Sequence, residues 1–396
     1  MNARTALGFR PAGALEHAAF VLGAAPLSVH TVMFPVWCVQ VRATVTEAQP
    51  YQLIDRYLIR GIAEAGLTGS AELASFLALD PALVRQALAF LRAVRHVEGE
   101  DGSLALTALG ERSLRDGTMY TVGLDDRRVL RFDGCSSGPL TRAYYDRAGA
   151  GLAAAAQEGR TSMPLLCPEP FRDEAVAELD GLADRERYNL PAAVELREVV
   201  GRDVEYLPAC VVRTARPYDG ARHLVFPRPL RGEPDLGLGH ALETSPSCTS
   251  ALTEAHRGAL SAFEEEAGRW LSTRGLAHHQ PRRGDGGPYR VGLAEDAFRG
   301  ADSRARRPLG SLVVLPSGGF FQMWCEDVRA RRREVLRRLG IHLGVPRAPE
   351  AVRARLALLG AQLDPGPLDD DALYAVAAEE GDRALADRLR RILSES

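Results

Sequence analysis

The stretch Glu72–Leu91 reads E-L-A-S-F-L-A-L-D-P-A-L-V-R-Q-A-L-A-F-L and holds two apolar segments at helical spacing, with a cap and a proline between them. The Asp80 carboxylate can accept the free N–H groups of a first helical turn, and Pro81 fits the first helical position, where no N–H is needed. The pair predicts a helix that starts at Pro81 and continues to Val94. Ser70 is predicted to cap the shorter helix that precedes it.

The flanking residues extend this helix pair in both directions. An upstream helix is predicted between Pro50 and Gly66, because apolar residues recur there at helical spacing: Leu53, Ile54, Tyr57, Leu58 and Ile62. Downstream, residues 96–107 predict two short strands around an Asp-Gly turn. Before all of these, Phe34–Val45 alternates and is rich in β-branched residues, which predicts a strand.

Helix, short helix, second helix and hairpin, in that order, resemble a winged helix-turn-helix, and Leu106–Arg112 (L-T-A-L-G-E-R) continues the pattern. With the preceding strand, the segment is similar to the front end of uncharacterised bacterial proteins that accompany phospholipase-D-like domains in defence-associated loci. The resemblance implies a role in the response to foreign DNA. It does not extend to the phosphodiesterase chemistry, because the His-x-Lys motif of that family requires a lysine.

All 49 cationic side chains of the chain are arginines. The absence of lysine excludes lysine-bearing phosphate loops, kinase-type lysines and Schiff-base chemistry, since guanidinium does not replace a compact or deprotonatable amine. A coding sequence very rich in G and C would explain the absence, and so would selection near a lysine-modifying enzyme.

The second predicted helix offers Arg85, Gln86 and Arg92 to a DNA major groove. The predicted wing opposes this reading, because its tip carries three acidic residues: Glu98, Glu100 and Asp101. Residues 50–117 hold seven arginines against nine acidic residues, a net charge of −2. Phosphate neutralisation supplies most nonspecific DNA affinity. DNA contact and protein docking therefore both remain open for this module, and its charge favours docking.

The middle of the chain is predicted to be strand-rich and acidic. Met119–Val122 and Arg128–Phe132 predict a hairpin around an Asp-Asp turn, and further strands are expected at Val204–Arg213 and Leu224–Pro227. Cys135 stands one residue out of register for a phosphatase loop, since Arg142 lies seven positions after it, so an ordinary loop cysteine is expected. The six cysteines are scattered, and the chain is expected to be cytoplasmic with reduced thiols.

Several acidic residues of this middle region could suggest paired carboxylates for a metal or for acid/base chemistry, although solvated helix faces are the expected explanation. They are Glu169, Asp173, Glu174, Glu178 and Asp180. They do not predict a metal site, because neither a histidine nor a tight D-x-D pattern accompanies them. The exposed loop at His278-His279 does not predict one either, because adjacent histidines point different ways.

The C-terminal half carries the basic residues. Residues 278–338 hold thirteen arginines against seven acidic residues, a net charge of +6. A helix is predicted at Leu252–Leu271. Leu312–Leu315 predicts a strand, and Ser317–Gly319 is expected to turn it into a helix that includes Trp324. That turn could cradle phosphate, although a plain tight turn is favoured.

The arginines of the predicted helix form the chain's best candidate surface for phosphates, with Arg329, Arg332, Arg333 and Arg337 as the main contacts. Alternatively, these arginines pair with the acidic middle of the chain, within one chain or across an oligomer.

These patterns predict an α+β, multidomain chain. Two more helices are expected at Ala348–Leu359 and Asp370–Leu393. The predicted segments are an N-terminal segment (1–30), a strand with the winged helix (31–118), a strand-rich acidic domain (119–250), a mixed region with the arginine helix (251–345) and C-terminal helices (346–396).

Three functions follow as hypotheses. The first is a nucleic-acid-binding adaptor or regulator whose partner is DNA. The second is a protein-interaction subunit that binds a protein partner or forms a homo-oligomer. The third is an enzyme whose site is assembled from distant residues. No cofactor, no metal and no membrane association are predicted.

Overall fold

The structure is a computed structural model in which residues 7–146, 150–154, 163–283, 287–298, 307–345, 348–367, 370–379 and 382–394 are described. The protein is of the mixed α+β class. It divides into two compact units, each discontinuous along the chain. The larger unit comprises residues 1–37, 132–172 and 204–396, and the smaller unit comprises residues 38–131 and 173–203. The five segments expected from the sequence stay a prediction.

In the first half of the chain, helices and strands occur in the order α1 (Pro11–Glu16), β1 (Pro26–Pro50), α2 (Leu53–Ala65), α3 (Ser70–Leu77), α4 (Pro81–Ala93), β2 (Val97–Glu98), β3 (Ala105–Leu106), α5 (Ala108–Asp116), β4 (Thr118–Asp133), β5 (Ala153–Ala154) and α6 (Glu174–Asp180). A single π-helical turn, His17–Val21, follows α1.

In the second half, the order is β6 (Val194–Tyr218), β7 (Ala221–Pro227), α7 (Leu236–Thr244), α8 (Pro246–Ser272), β8 (Arg282–Arg283), β9 (Tyr289–Gly292), β10 (Leu312–Val314), β11 (Phe320–Trp324), α9 (Val328–His342), α10 (Pro349–Leu363), α11 (Asp370–Glu379) and α12 (Arg383–Ser394).

The strands form one large sheet and two smaller ones. In the large sheet the order is β4-β1-β6-β5, and β7 pairs antiparallel with β6 in a register that places Cys210 opposite Phe226. The second sheet has the order β10-β11-β9-β8, and the third is the hairpin β2-β3. In the larger unit, Phe226 and Leu224 of β7 pack with Leu15 of α1 and Phe320 of β11 in one buried cluster.

The smaller unit is built on the helices that the sequence predicts. Leu58 of α2, Leu73 of α3 and Leu88 of α4 are fully or almost fully buried and share one core. Asp80 caps α4 as expected, because its side chain accepts the N–H of Ala82 at 2.6 Å. The order of elements agrees with the expected one, while the assignment to the winged-helix class stays a prediction.

Ser70 is not the N-cap of α3, as the sequence suggested. Gly69 holds that position and Ser70 is the first helical residue. The carboxylates of Glu72 and Asp101 replace the expected cap: Glu72 accepts the N–H of Gly69 at 3.1 Å, and Asp101 accepts the Ser70 hydroxyl at 2.8 Å. The acidic wing residue Asp101 is therefore used to hold the start of a helix.

The hairpin predicted at residues 119–132 is wrong, because Thr118–Asp133 is one continuous strand paired with β1. Arg128 pairs with Asp126, two positions away on the same strand face, so the acidic pair expected to turn the chain is compatible with a strand there.

The expected transition from strand to helix at Ser317–Gly319 is also wrong. Leu315 donates its N–H to Gly319 O at 2.8 Å, and the turn joins β10 to the antiparallel strand β11, which contains Trp324. The Ser317 N–H and hydroxyl both bind the Glu266 carboxylate, at 3.1 Å and 2.7 Å. The donors that a phosphate would need there are bound to an acid instead.

The predicted last helix is two helices. Asp382 interrupts it by accepting the N–H of Leu385 at 3.0 Å, which caps the start of α12. Over the described ranges, no helix combines the length and the apolar character needed to cross a membrane.

Candidate functional site

On α4, the residues predicted to read DNA are all exposed. Arg85 and Arg92 are seven positions apart, so they share one face of the helix, and Gln86 lies beside Arg85. The same helix also exposes Leu83 at 45% and Phe90 at 41% of their surfaces. Its solvent-facing side is therefore a mixture of cations and large apolar side chains.

On α9, most of the arginines predicted to contact phosphate are bound within the protein. Arg333 donates its Nε–H to Glu295 at 3.0 Å, and Arg332 donates to the carbonyl of Pro365 at 3.0 Å. Arg337 forms a two-pronged ion pair with Glu334, with both distances at 2.7 Å. Arg329 is exposed at the start of the helix.

A fifth arginine of α9, Arg331, is buried and hydrogen-bonded within the protein. Arg331 is 7% exposed and donates to three carbonyl oxygens, those of Cys325 at 2.7 Å, Glu326 at 3.0 Å and Asp364 at 3.0 Å. Its guanidinium also lies 4.6 Å from the centre of the Trp324 ring. The high charge of α9 therefore serves mainly to fix its own surroundings, and its arginines form ion pairs with Glu295 and Glu334.

Cys135 lies in a buried turn organised by Asp133. The Asp133 carboxylate accepts the N–H groups of Cys135 at 2.8 Å and Gly138 at 2.6 Å. The Cys135 thiol is 3.8 Å from that of Cys248, and contact with Cys248 and burial both raise the pKa of Cys135. A thiol with a raised pKa is a poor nucleophile, in agreement with the expectation of a structural loop cysteine.

The paired histidines His278 and His279 lie in an exposed turn with their ring centres 4.1 Å apart. Among the residues that the structure describes, no three His, Cys, Asp or Glu side chains converge as metal ligands would.

A different set of side chains comes together in the larger unit, which we call the histidine cluster: Ser28 and His30 on β1, Arg213 on β6, His223 on β7, Thr253 and His256 on α8, with Glu243 of α7 behind His223. The sequence analysis selected none of these residues. Ser28 and His30 are two positions apart on a strand, so they point to the same face.

Ser28 links two of the imidazoles. Its hydroxyl is fully buried and lies 3.1 Å from Nε2 of His30 and 2.9 Å from Nδ1 of His256. A hydroxyl carries one hydrogen, so it donates to one ring and accepts from the other. The outer ring nitrogens of the two neutral histidines then comprise one hydrogen-bond donor and one acceptor, and both rings are only partly buried.

In the described part of the chain, one of the two ring nitrogens of His223 has a hydrogen-bond partner and the other does not. Its Nδ1 lies 3.1 Å from Oε1 of Glu243, and the same oxygen accepts the His223 N–H at 2.9 Å. Nε2 is buried and has no hydrogen-bond partner in the described part of the chain. The buried His96 of the smaller unit differs, because Tyr51 binds its Nδ1 at 3.1 Å and the Tyr120 carbonyl binds its Nε2 at 2.6 Å. His96 is a satisfied core residue, whereas His223 keeps an unused ring atom.

All three histidines of the cluster are kept neutral at pH 7. Burial, together with the smaller effects of His256, His223 and Arg213, lowers the pKa of His30 to about 4. Burial also lowers the pKa of His256, and it outweighs the opposite effect of Glu243 on the pKa of His223. Arg213 is thus the permanent cation of this cluster.

Arg213 is partly buried, and one of its terminal nitrogens donates to the Thr253 hydroxyl at 3.3 Å. Within the described ranges, no carboxylate forms an ion pair with it. Its charge reaches all three histidines, since it lowers the pKa of each. A partly buried guanidinium with neutral hydrogen-bonding groups around it is suited to hold an anion.

The turn between β10 and β11 closes against one side of the cluster. Gly318 has φ +96°, and a Cβ there would lie 2.7 Å from Nδ1 of His30. The Gly318 carbonyl accepts the N–H of Val29 at 2.9 Å, which fixes the turn to β1. Glycine is required at this point by both its conformation and the close approach of the imidazole.

The chain was compared with protein-family models, with curated proteins and with solved structures, and none of them matches it.

Proposed function

We propose that this protein is a nucleic-acid-binding adaptor or regulator that recognises a phosphorylated strand end at the histidine cluster. The observation that carries the proposal is Arg213, a partly buried cation without a carboxylate partner among the described residues. A phosphate monoester supplies the missing charge and offers several acceptor oxygens for guanidinium and imidazole N–H groups.

A strand end fits the cluster better than a continuous backbone does. Binding along a backbone uses many exposed cations in a row, because each neutralised phosphate adds affinity. The cluster has one arginine, and it is recessed. The arginines of α9 are mostly bound to Glu295, Glu334 and backbone carbonyls, so they offer no such row.

The proposal is tested by measuring how much one terminal phosphate contributes to the binding affinity. Fluorescence anisotropy compares a single-stranded oligonucleotide with a 5′-phosphate and the same strand with a 5′-hydroxyl, each labelled at the 3′ end, from about 50 to 200 mM salt. We expect at least tenfold tighter binding of the phosphorylated strand, since hydrogen bonds to charged groups contribute about 1.5–3 kcal/mol. Equal affinities for the two strands would contradict the proposal.

Two variants locate the contact. Arg213→Met should remove the preference for the phosphorylated strand. Arg257→Met is the matched control, because Arg257 is on α8 next to His256 but is exposed and paired with Glu254 at 2.6 Å. The control should keep the preference, and loss of the preference in both variants would point to a general charge effect.

The alternative function, a protein-interaction subunit that docks through the smaller unit, is favoured by one specific observation. Besides Leu83 and Phe90 on α4, Phe76 of α3 is 64% exposed. Large apolar side chains on a charged surface are typical of protein contacts rather than of DNA contacts.

Paired variants separate the two uses of this surface. Arg85→Glu with Arg92→Glu should weaken DNA binding if α4 contacts DNA. Leu83→Ser with Phe90→Ser should instead abolish association with a partner protein or with a second copy, measured as mass by light scattering. An unchanged mass in the second double variant, together with weaker DNA binding in the first, would reject the docking alternative.

A further inference from the structure

A second feature of the larger unit is a pocket of about 440 Å³, separate from the histidine cluster. Its walls come from α1 and the π-helical turn after it, from the second half of α9 and from α10. Volumes of this size are typical of sites for small organic ligands.

One side of the pocket is cationic. Arg337, Arg338 and Arg355 all line it. Glu334 neutralises part of this charge, because it accepts hydrogen bonds from both Arg337 and Arg338 at 2.7 Å. Arg338 is further fixed by Gln362 Oε1 at 3.0 Å. Two of the three guanidinium groups are thus held in place by the protein.

Arg355 differs from the other two arginines. Its Nε is buried and has no hydrogen-bond partner in the described part of the chain, and no carboxylate there lies within ion-pair distance of it. Burial and the charge of Arg338 lower the pKa of Arg355 against the opposing effect of Glu16, so its charge is only partly compensated. A buried donor of this kind is costly unless an acceptor reaches it.

The pocket lining also includes two apolar side chains, Phe20 and Leu358, and the carboxyl group of Glu16. Burial raises the pKa of the Glu16 carboxyl, while a backbone hydrogen bond from Leu312 and the charges of Arg338 and Arg355 lower it in part. Such a carboxyl can accept a hydrogen bond from an N–H or O–H group of a ligand.

We infer that this pocket binds a nucleoside phosphate, with the phosphates at Arg355 and the base against Phe20 and Leu358. Phosphate oxygens would give Arg355 the acceptors that the protein does not supply. An aromatic side chain and an aliphatic one in the lining suit a flat, largely apolar ring. The inference is independent of strand-end recognition at the histidine cluster.

The test is thermal unfolding of the full chain with each of ATP, GTP, CTP and UTP at 5 mM, alongside the matching nucleoside and inorganic triphosphate. At least one nucleotide should raise the unfolding midpoint by about 2 °C or more. Its nucleoside and inorganic triphosphate should each give a smaller rise. No rise with any of the four nucleotides, or an equal rise with inorganic triphosphate, would overturn the inference.

Three variants connect the response to the pocket. Arg355→Met should abolish it, whereas Arg353→Met, two positions away on an exposed part of α10, should keep it. Gly13→Leu adds a bulky side chain to the pocket lining without changing a charge, and an added Cβ at Gly13 meets nothing within 4 Å. Arg213→Met should also keep the response, which separates this pocket from the histidine cluster. A response that survives both Arg355→Met and Gly13→Leu would place the nucleotide elsewhere.

Discussion

The arginine helix α9 and the histidine cluster both belong to the larger unit, and they use charge in opposite ways. On α9, Arg331 is bound to carbonyl groups and Arg333 is bound to Glu295, so both guanidinium groups stabilise the fold. In the cluster, Arg213 and His223 keep hydrogen-bonding atoms that the described protein groups do not occupy. The density of charge along a sequence therefore does not show which cations are available to a ligand, whereas incompletely used polar groups mark a candidate site.

The largest expected effect tests whether α9 is structural. Arg331→Met removes a buried guanidinium that serves three carbonyl oxygens. We expect it to lower the free energy of unfolding by about 4 kcal/mol, because hydrogen bonds to a charged group are lost and buried carbonyls stay unpaired. Urea denaturation measures this loss. The preference for a 5′-phosphate should be unchanged under folding conditions, and its loss would make α9 part of the binding site.

The next largest effect is the dependence of folding stability on pH that His30 of the histidine cluster causes. The pKa of His30 is about 4 in the folded protein, against an ordinary value of 6.5. Between these values the unfolded chain takes up a proton that the folded protein does not, so stability is full above pH 6.5 and falls as the pH drops towards 4. The loss from His30 should be on the order of 3 kcal/mol.

Urea denaturation at pH 7.5 and pH 5 measures this slope. His30→Gln should make stability depend less on pH, whereas the same change at the exposed His278 should not. Identical slopes for the wild type and His30→Gln would show that His30 is not buried in its neutral form.

A smaller effect is expected from Glu243→Gln. Glu243 orients the His223 ring through Nδ1 and raises the pKa of His223 against the stronger effect of burial. Removal of the negative charge should lower the pKa of His223 further and cost about 1 kcal/mol of stability, the usual size of one hydrogen bond. Histidine ring NMR signals recorded across a pH series report that pKa. A higher pKa in the variant would contradict the assigned contact.

The smallest effect is expected from Arg329→Glu. Arg329 is exposed at the start of α9, where its backbone N–H donates to the Asp327 carboxylate at 2.8 Å. Surface changes of this kind alter stability by less than about 0.5 kcal/mol. DNA binding should be weakened less than twofold at about 150 mM salt, where exposed charges are well screened. A tenfold loss of DNA affinity would indicate that α9 is a phosphate-binding surface after all.

Local signals in the sequence predicted much of the fold. The cap at Asp80, the proline after it and the helical spacing around Leu88 depend on neighbours within a few residues, and α4 forms as expected. The error at residues 119–132 has a different cause. Pairing with β1, a partner far away in sequence, decided the conformation there, and an apparent turn became a strand.

The site could not be predicted in the same way. Ser28 and His256 are separated by 228 positions and meet through one hydroxyl. Neither their spacing nor their residue types distinguish them from core residues. The partners of Arg333 and Arg213 are also invisible in the sequence, so two arginines of equal charge received opposite roles only when their surroundings were known.

A direct test of the account is to record the Nε–H NMR signals of the arginines while a 5′-phosphorylated oligonucleotide is added. One spectrum then reports on Arg213 and on the arginines of α9 together, with assignments from Arg213→Met and Arg333→Met. The account predicts that the Arg213 signal shifts and that the Arg333 signal stays in place. Shifts confined to α9, with no change at Arg213, would contradict it.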